Sequence, residues 1–160
     1  MRLVVQRVKR ASVDVAGARV AEIGQGVLVL VGIAADDESV DLGRTASKLV
    51  DLRIFEDDAG KMNRSLREIR GKVLAVSQFT LCADTGKGRR PSFAGAAPPG
   101  IAAPLFESFV DAIREEGIDV ETGRFGAKMA VELVNDGPVT LVIEVAPPSP
   151  VGYTALSGGP

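Results

Sequence analysis

The chain has 160 residues, 46% of them hydrophobic and 25% charged, with a formal net charge of −2 and a calculated pI of about 5.3. This is the balance of one soluble globular domain with no membrane span, and the acidic pI argues against a general phosphate-coating nucleic-acid binder. Histidine is absent and Cys82 is the only cysteine, which excludes an intrachain disulfide, the usual zinc ligand sets and any Ser-His-Asp or Cys-His mechanism.

The N-terminal "MRLVVQRVKR" lacks the apolar region and cleavage site of a signal peptide, so a reducing, cytoplasmic setting is expected. "RLVVQRV" and the alternating "ASVDV" read as strands, with a hairpin turn at Gly17-Ala18 before "RVAEI". "GVLVLVGI" (26 to 33) is a continuous apolar run, the pattern of a strand covered on both faces. "DDESVDLGRTASKLVDL" predicts a helix capped by Asp36 or Asp37, with Val40, Ala46, Leu49 and Val50 on its apolar side. "LRIFEDDAGKMN" reads as a strand turning at Asp58-Ala59-Gly60, and "GKVLAVSQFTL" (71 to 81) as a second buried strand. After a glycine-rich interval, Ile101, Leu105, Phe106, Phe109, Val110 and Ile113 share one helical face, and Gly117 sits at the C-terminal cap. The segment to Val145 is strand-rich. The last fifteen residues hold four prolines and three glycines, a tail (146–160) expected to add little to the core. The order predicts a single α/β domain over 1–145: a curved, largely antiparallel, barrel-like sheet with two helices on one side.

Several segments could carry chemistry, and each has an ordinary structural reading beside the chemical one. "SQFTL" places Ser77, Gln78 and Thr80 at a strand end, where binding sites often form; their polar groups could equally bond the next loop. Thr80 as a nucleophile would lack the usual activating base. "ADTGKGRRPSF" (83 to 93) has glycines and basic residues able to hold a phosphate, without the spacing of a Walker motif; otherwise it is a surface loop. Lys87, Arg89 and Arg90 here, and Arg2, Arg7, Lys9 and Arg10 near the start, are solvated faces or two halves of one basic patch. In "TGRFGAKM", Phe125 and Met129 are core residues or a nucleobase sandwich. Cys82 reads as a buried apolar residue rather than a reactive thiol. In "VNDGPVTLVIEV", Gly137-Pro138 stands where a central strand would want a ladder donor, either a turn into the strand or backbone shaped for a task.

"SQFTL", "ADTGKGRRPSF", "TGRFGAKM" and "NDGPVT", in this order, resemble the D-aminoacyl-tRNA deacylase family, formerly D-tyrosyl-tRNA deacylase. "QRVKRASV" and "RIFEDDAGKMN" are similar to that family too, so the resemblance spans residues 1 to 145 and leaves the tail without a role.

The resemblance implies hydrolysis of the ester joining a D-amino acid, or glycine mischarged on tRNA(Ala), to the terminal adenosine of tRNA. It implies a homodimer with its sites at the interface and needs neither cofactor nor metal. Carried over, Gly137-Pro138 would be a cis peptide reaching into the partner's site, where rigid main chain collides with an L side chain and spares a D one. Gln78 and Phe79 would line the adenosine pocket, with Phe125 and Met129 against the adenine. Thr80, beside Ser77 and Gln78, would be a nucleophile, or would position water while the RNA 2′-hydroxyl assists. The missing histidine favours the second.

Overall fold

The computed structural model describes residues 1–86 and 88–146; the predicted tail from residue 147 and Lys87 of the basic loop lie outside the described residues. Eight strands and two helices follow one another as β1 (Arg2–Val15), β2 (Ala18–Ile23), β3 (Gly26–Gly32), α1 (Leu42–Val50), β4 (Phe55–Glu56), β5 (Met62–Arg64), β6 (Lys72–Ser77), α2 (Pro99–Glu115), β7 (Val120–Thr122) and β8 (Met129–Glu144). Short 3-10 turns lie at Asp37–Ser39 and Phe79–Cys82.

β1 organises the sheet. One of its edges pairs antiparallel with β3 through residues 2–8 and with β2 through residues 11–15, while β8 runs antiparallel along its whole length. β3, β6 and β7 then continue the sheet in parallel, so the predicted curved sheet is mixed and nearly closed. The two apolar runs are the central parallel pair. Their side chains alternate between two cores, as the two-residue period of a strand requires. Val27, Val29, Val31, Val73 and Ala75 pack toward the helices, and Leu28, Leu74 and Val76 toward Val8, Ala11, Val13, Ala21 and Ile23. β3 and β6 approach so closely that a Cβ on Gly26 would lie 1.9 Å from the Lys72 carbonyl oxygen.

α2 buries the predicted stripe of Phe106, Phe109, Val110 and Ile113, half-buries Ile101 and Leu105, and ends before Gly117 at φ +78°. The other helix departs from expectation at its start. Asp41, not Asp36 or Asp37, caps α1, its carboxylate accepting the Arg44 N–H at 2.9 Å. Asp37 is spent elsewhere: it is buried, pairs with the Met1 ammonium and accepts the Ala34 N–H at 2.6 Å. Val40 is extended and precedes the helix. The first hairpin turns at Ala16 and Gly17, both at positive φ, one residue earlier than the predicted Gly17-Ala18. The turn after β4 lies where predicted, and Asp57 ties it; the Asn63 side chain and the Lys61 N–H hold that carboxyl below the usual carboxylate range. Among the described residues no helix is long and apolar enough to cross a membrane.

Gly26→Ala should destabilise the protein by about 3 kcal/mol, the upper range for overpacking, because the methyl group meets main chain that cannot turn aside. Urea denaturation checks this: the midpoint should fall with an unchanged slope.

Candidate active site

β3 and β6 end side by side, with Val31 opposite Ser77. The "SQFTL" strand stops at Ser77 rather than running to Leu81, because the chain folds into the 3-10 turn. The Gln78 N–H donates to the Val31 carbonyl at 2.8 Å, and the Leu81 N–H reaches back to the Gln78 carbonyl at 3.2 Å. Ligand sites in parallel sheets form at these carboxyl ends. The loop that follows is closed by reciprocal main-chain bonds between Asp84 and Ser92, at 2.8 and 2.9 Å. This places Phe93 edge-on against Phe79, ring centroids 5.1 Å apart at 70°.

An open cavity of about 570 Å³ lies here, lined among others by Ser77, Gln78, Phe79, Phe93, Phe125 and Met129. Its volume is in the range of pockets for molecules the size of a substituted nucleoside. Its rim is aromatic: Phe79 is 56% exposed, and Phe93 and Phe125 are exposed too. Large apolar side chains left in water on this scale mark a surface that something covers. Phe125 leans on Phe106, and the Met129 sulfur sits so close to Gly123 that a Cβ there would be 2.6 Å away.

Among the described residues, none that lines the cavity is ionisable. General acid–base chemistry by a charged side chain therefore has no place inside it. The polar groups available are Ser77, Gln78 and main-chain N–H groups at the strand end. The Gln78 amide donates to the Thr80 hydroxyl, which is exposed at the edge and is not part of the cavity wall. Cys82 is half-buried, and burial followed by the nearby Asp37 charge pushes its thiol up, so it is no ready nucleophile. Among the described residues no cluster of three or more acidic, cysteine or histidine side chains could hold a metal.

Gly137-Pro138 is neither a turn before the strand nor near the cavity. It lies within β8 as a bulge: Gln6 pairs with Thr140 and Val8 with Asn135, so five steps on β8 oppose two on β1. The peptide is cis, and both residues are exposed. Two side chains pin the bulge. Asn135 accepts the Val139 N–H at 2.8 Å and donates to the Val139 carbonyl at 3.1 Å. Arg7, only 4% exposed, donates to the carbonyls of Asp136 at 2.7 Å and Ile54 at 2.6 Å. Met129 and Val131, at the other end of β8, line the cavity; six residues of strand separate Val131 from Gly137, roughly 20 Å.

One chain thus brings Ser77, Gln78, Phe79, Phe125 and Met129 together, leaves Thr80 at the edge, and sets Gly137 and Pro138 at the far end of a shared strand. The roles of Phe93, Arg7 and Asn135 were not legible in the sequence. Phe93 was legible only as the end of a basic loop. Asn135 sits two residues before the glycine, a spacing that lets a side-chain amide bridge a bulge. Most of the N-terminal basic group is engaged: Arg7 is buried, Lys9 faces Asp136 at 3.8 Å, and Arg2 donates to Glu144 at 2.6 Å and to the Leu81 carbonyl at 2.5 Å, while Arg10 is exposed.

The family model described as D-Tyr-tRNA(Tyr) deacylase matches residues 4–144. A D-aminoacyl-tRNA deacylase of Desulfatibacillum aliphaticivorans is 58% identical over 144 residues, covering 90% of this chain and 99% of its own. That of Chlorobaculum parvum is 56% identical over 145 residues, covering 90% and 97%. Among solved structures, the "c-Myc DNA Unwinding Element Binding Protein" superposes with a TM-score of 0.84 at 40% identity, over 90% of this chain and 98% of that one. A "probable eukaryotic D-amino acid tRNA deacylase" shares the fold with a TM-score of 0.76 at 21% identity, over 89% and 97%. With a family match running from β1 to the end of β8 and relatives more than half identical across that span, this chain belongs to the D-Tyr-tRNA(Tyr) deacylase family.

Proposed function

We propose that this protein hydrolyses the ester between a D-amino acid and the 3′-terminal adenosine of tRNA in the cytoplasm, acting as a homodimer. The observation that carries the reading is the uncharged, aromatic-rimmed cavity at the ends of β3 and β6, in a chain of this family. Adenine packs against Phe125 and Met129 with Phe79 at the ribose. The ester then lies by Ser77, Gln78 and the start of the 3-10 turn.

The reaction needs no ionisable side chain there. Water adds to the ester carbonyl, main-chain N–H groups at the turn steady the developing oxyanion, and the carbon–oxygen bond to the ribose breaks. The ribose oxygen takes up the proton that the water loses, passed through the neighbouring ribose hydroxyl. The products are the free D-amino acid and tRNA. Gln78 and Thr80 hold water and ester in line.

Selection is by exclusion. In the dimer, Gly137-Pro138 of one subunit closes the site of the other and presents main chain where an L side chain would go. A D side chain points elsewhere, and glycine has none to exclude, so glycyl-tRNA is cleaved too. Support comes from the placement of the bulge: exposed, held from inside by Arg7 and Asn135, and too far along β8 to serve its own cavity. A second reading, polynucleotide binding without turnover, draws on the name of the 40% identical "c-Myc DNA Unwinding Element Binding Protein".

Single-turnover deacylation of matched D-tyrosyl-, L-tyrosyl- and glycyl-tRNA should cleave the D and glycyl esters and spare the L ester. Cleavage of none would favour binding without turnover. Thr80→Ala should slow the D-ester reaction only about tenfold, well short of the 10²–10⁴ or so that a general acid–base is worth. Complete loss, with a trapped acyl-enzyme in the wild type, would make Thr80 the nucleophile.

A further inference from the structure

The two segments that frame the cavity mouth are basic in an otherwise acidic chain. Phe93 ends the loop carrying Arg89 and Arg90, and Phe125 lies between Arg124 and Lys128. All four cations are exposed, and none forms an ion pair among the described residues. Carboxylates are scarce around them. Asp84 is the only one between residues 83 and 106, and none lies between residues 122 and 131. Asp84 is itself engaged, accepting the Gly86 N–H at 2.8 Å. Other surface cations are paired, as Arg19 is with Asp14, Glu22 and Glu132, and Lys72 with Asp119. The reciprocal Asp84–Ser92 bonds hold the base of the Arg89–Arg90 loop beside the rim.

Exposed aromatic rings for stacking, flanked by unpaired cations for the backbone, are the arrangement by which proteins grip a single strand without reading its sequence. We propose that Arg89 and Arg90 on one side, and Arg124 and Lys128 on the other, form a two-sided clamp on the phosphates of the single-stranded 3′ end of the RNA whose last nucleoside enters the cavity. The inference rests on the tRNA-ester reading and extends it. The cavity selects the ester, and the clamp supplies affinity and steering that do not depend on the amino acid.

The test separates the two claims by pairing binding of uncharged tRNA, followed by fluorescence anisotropy across a salt series, with hydrolysis of 3′-(D-tyrosyl)adenosine, which has no phosphate. Each single-strand phosphate contact contributes roughly 0.7 to the slope of log affinity against log salt. Arg89→Ala/Arg90→Ala should therefore reduce that slope by about 1.4, and so should Arg124→Ala/Lys128→Ala. Arg89→Lys/Arg90→Lys should restore it. Arg44→Ala/Lys48→Ala, which removes the same charge from the exposed side of α1, should leave it unchanged. The adenosine ester should be cleaved by the alanine variants within about twofold of wild type. An unchanged slope, or an equal shift in the α1 variant, overturns the clamp; so does loss of adenosine-ester cleavage in the alanine variants alone, which would put these residues in the cavity's chemistry. Failure of the wild type to cleave both 3′-(D-tyrosyl)adenosine and D-tyrosyl-tRNA would instead strike the deacylase reading, while the binding slopes would still decide the clamp.

Discussion

A guanidinium group inside the sheet is the constraint on which the arrangement of this molecule turns. Arg7 is in phase with Leu3 and Val5, so the period-2 alternation of β1 sends its side chain to the core. A buried charge is tolerated only when it is paired and its donors are used. Arg7 meets that demand from three directions. Its donors take the carbonyls of Ile54 and Asp136, and the carboxylates of Asp136 and Glu56 lie 3.5 and 3.7 Å away. The planar fork of the guanidinium is what lets one side chain bridge two segments so far apart in sequence. The bulge of β8 is thereby tied to β1 and to the chain entering β4, and Asn135 closes it from the other side. An exposed pair of residues, Gly137 and Pro138, is thus held from the buried side of the sheet.

The cavity is built on the opposite logic. Its walls contain no charge among the described residues, and its shape comes from two parallel strands that stop together and a loop tied by its own main chain. An ester is activated enough that position and oxyanion stabilisation can carry much of the work. A site of this kind has little with which to attract one side-chain configuration over another, which is why the proposed discrimination rests on what is kept out. On this reading the two halves of the function occupy opposite ends of β8: a chemical end at Met129 and Val131, and an excluding end at Gly137-Pro138. In the proposed homodimer a second copy of the chain joins them.

Much of this was legible beforehand. The runs 26 to 33 and 71 to 81 announced the central strands because both faces are covered, though the second stops at Ser77, and the α2 stripe announced a one-sided helix. Ser77, Gln78 and Phe79 of "SQFTL" do meet Phe125 and Met129 in one cavity, while Thr80 stands outside its wall. The failures share a cause, which is that a tertiary partner changed what a local pattern meant. Asp37 looked like a helix cap until the Met1 ammonium claimed it. Arg7 looked like one of a surface basic group, because nothing local shows that Ile54 and Asp136 will converge on it. Phe93 was hidden among loop residues, since its role depends on the Asp84–Ser92 closure. The bulge could not be read at all without knowing that β8 pairs with β1 on both sides of it.

The most direct test of this account is Arg7→Lys, which keeps the buried charge but loses the fork that spans Ile54 and Asp136. Single-turnover deacylation of D- and L-tyrosyl-tRNA by the folded variant should show the D ester cleaved within about tenfold of wild type and the L ester now cleaved measurably. Loosening the bulge would then have opened the excluding surface without touching the chemical end. A variant that still spares the L ester, with discrimination equal to wild type, would contradict the claim that Arg7 holds the excluding backbone in place.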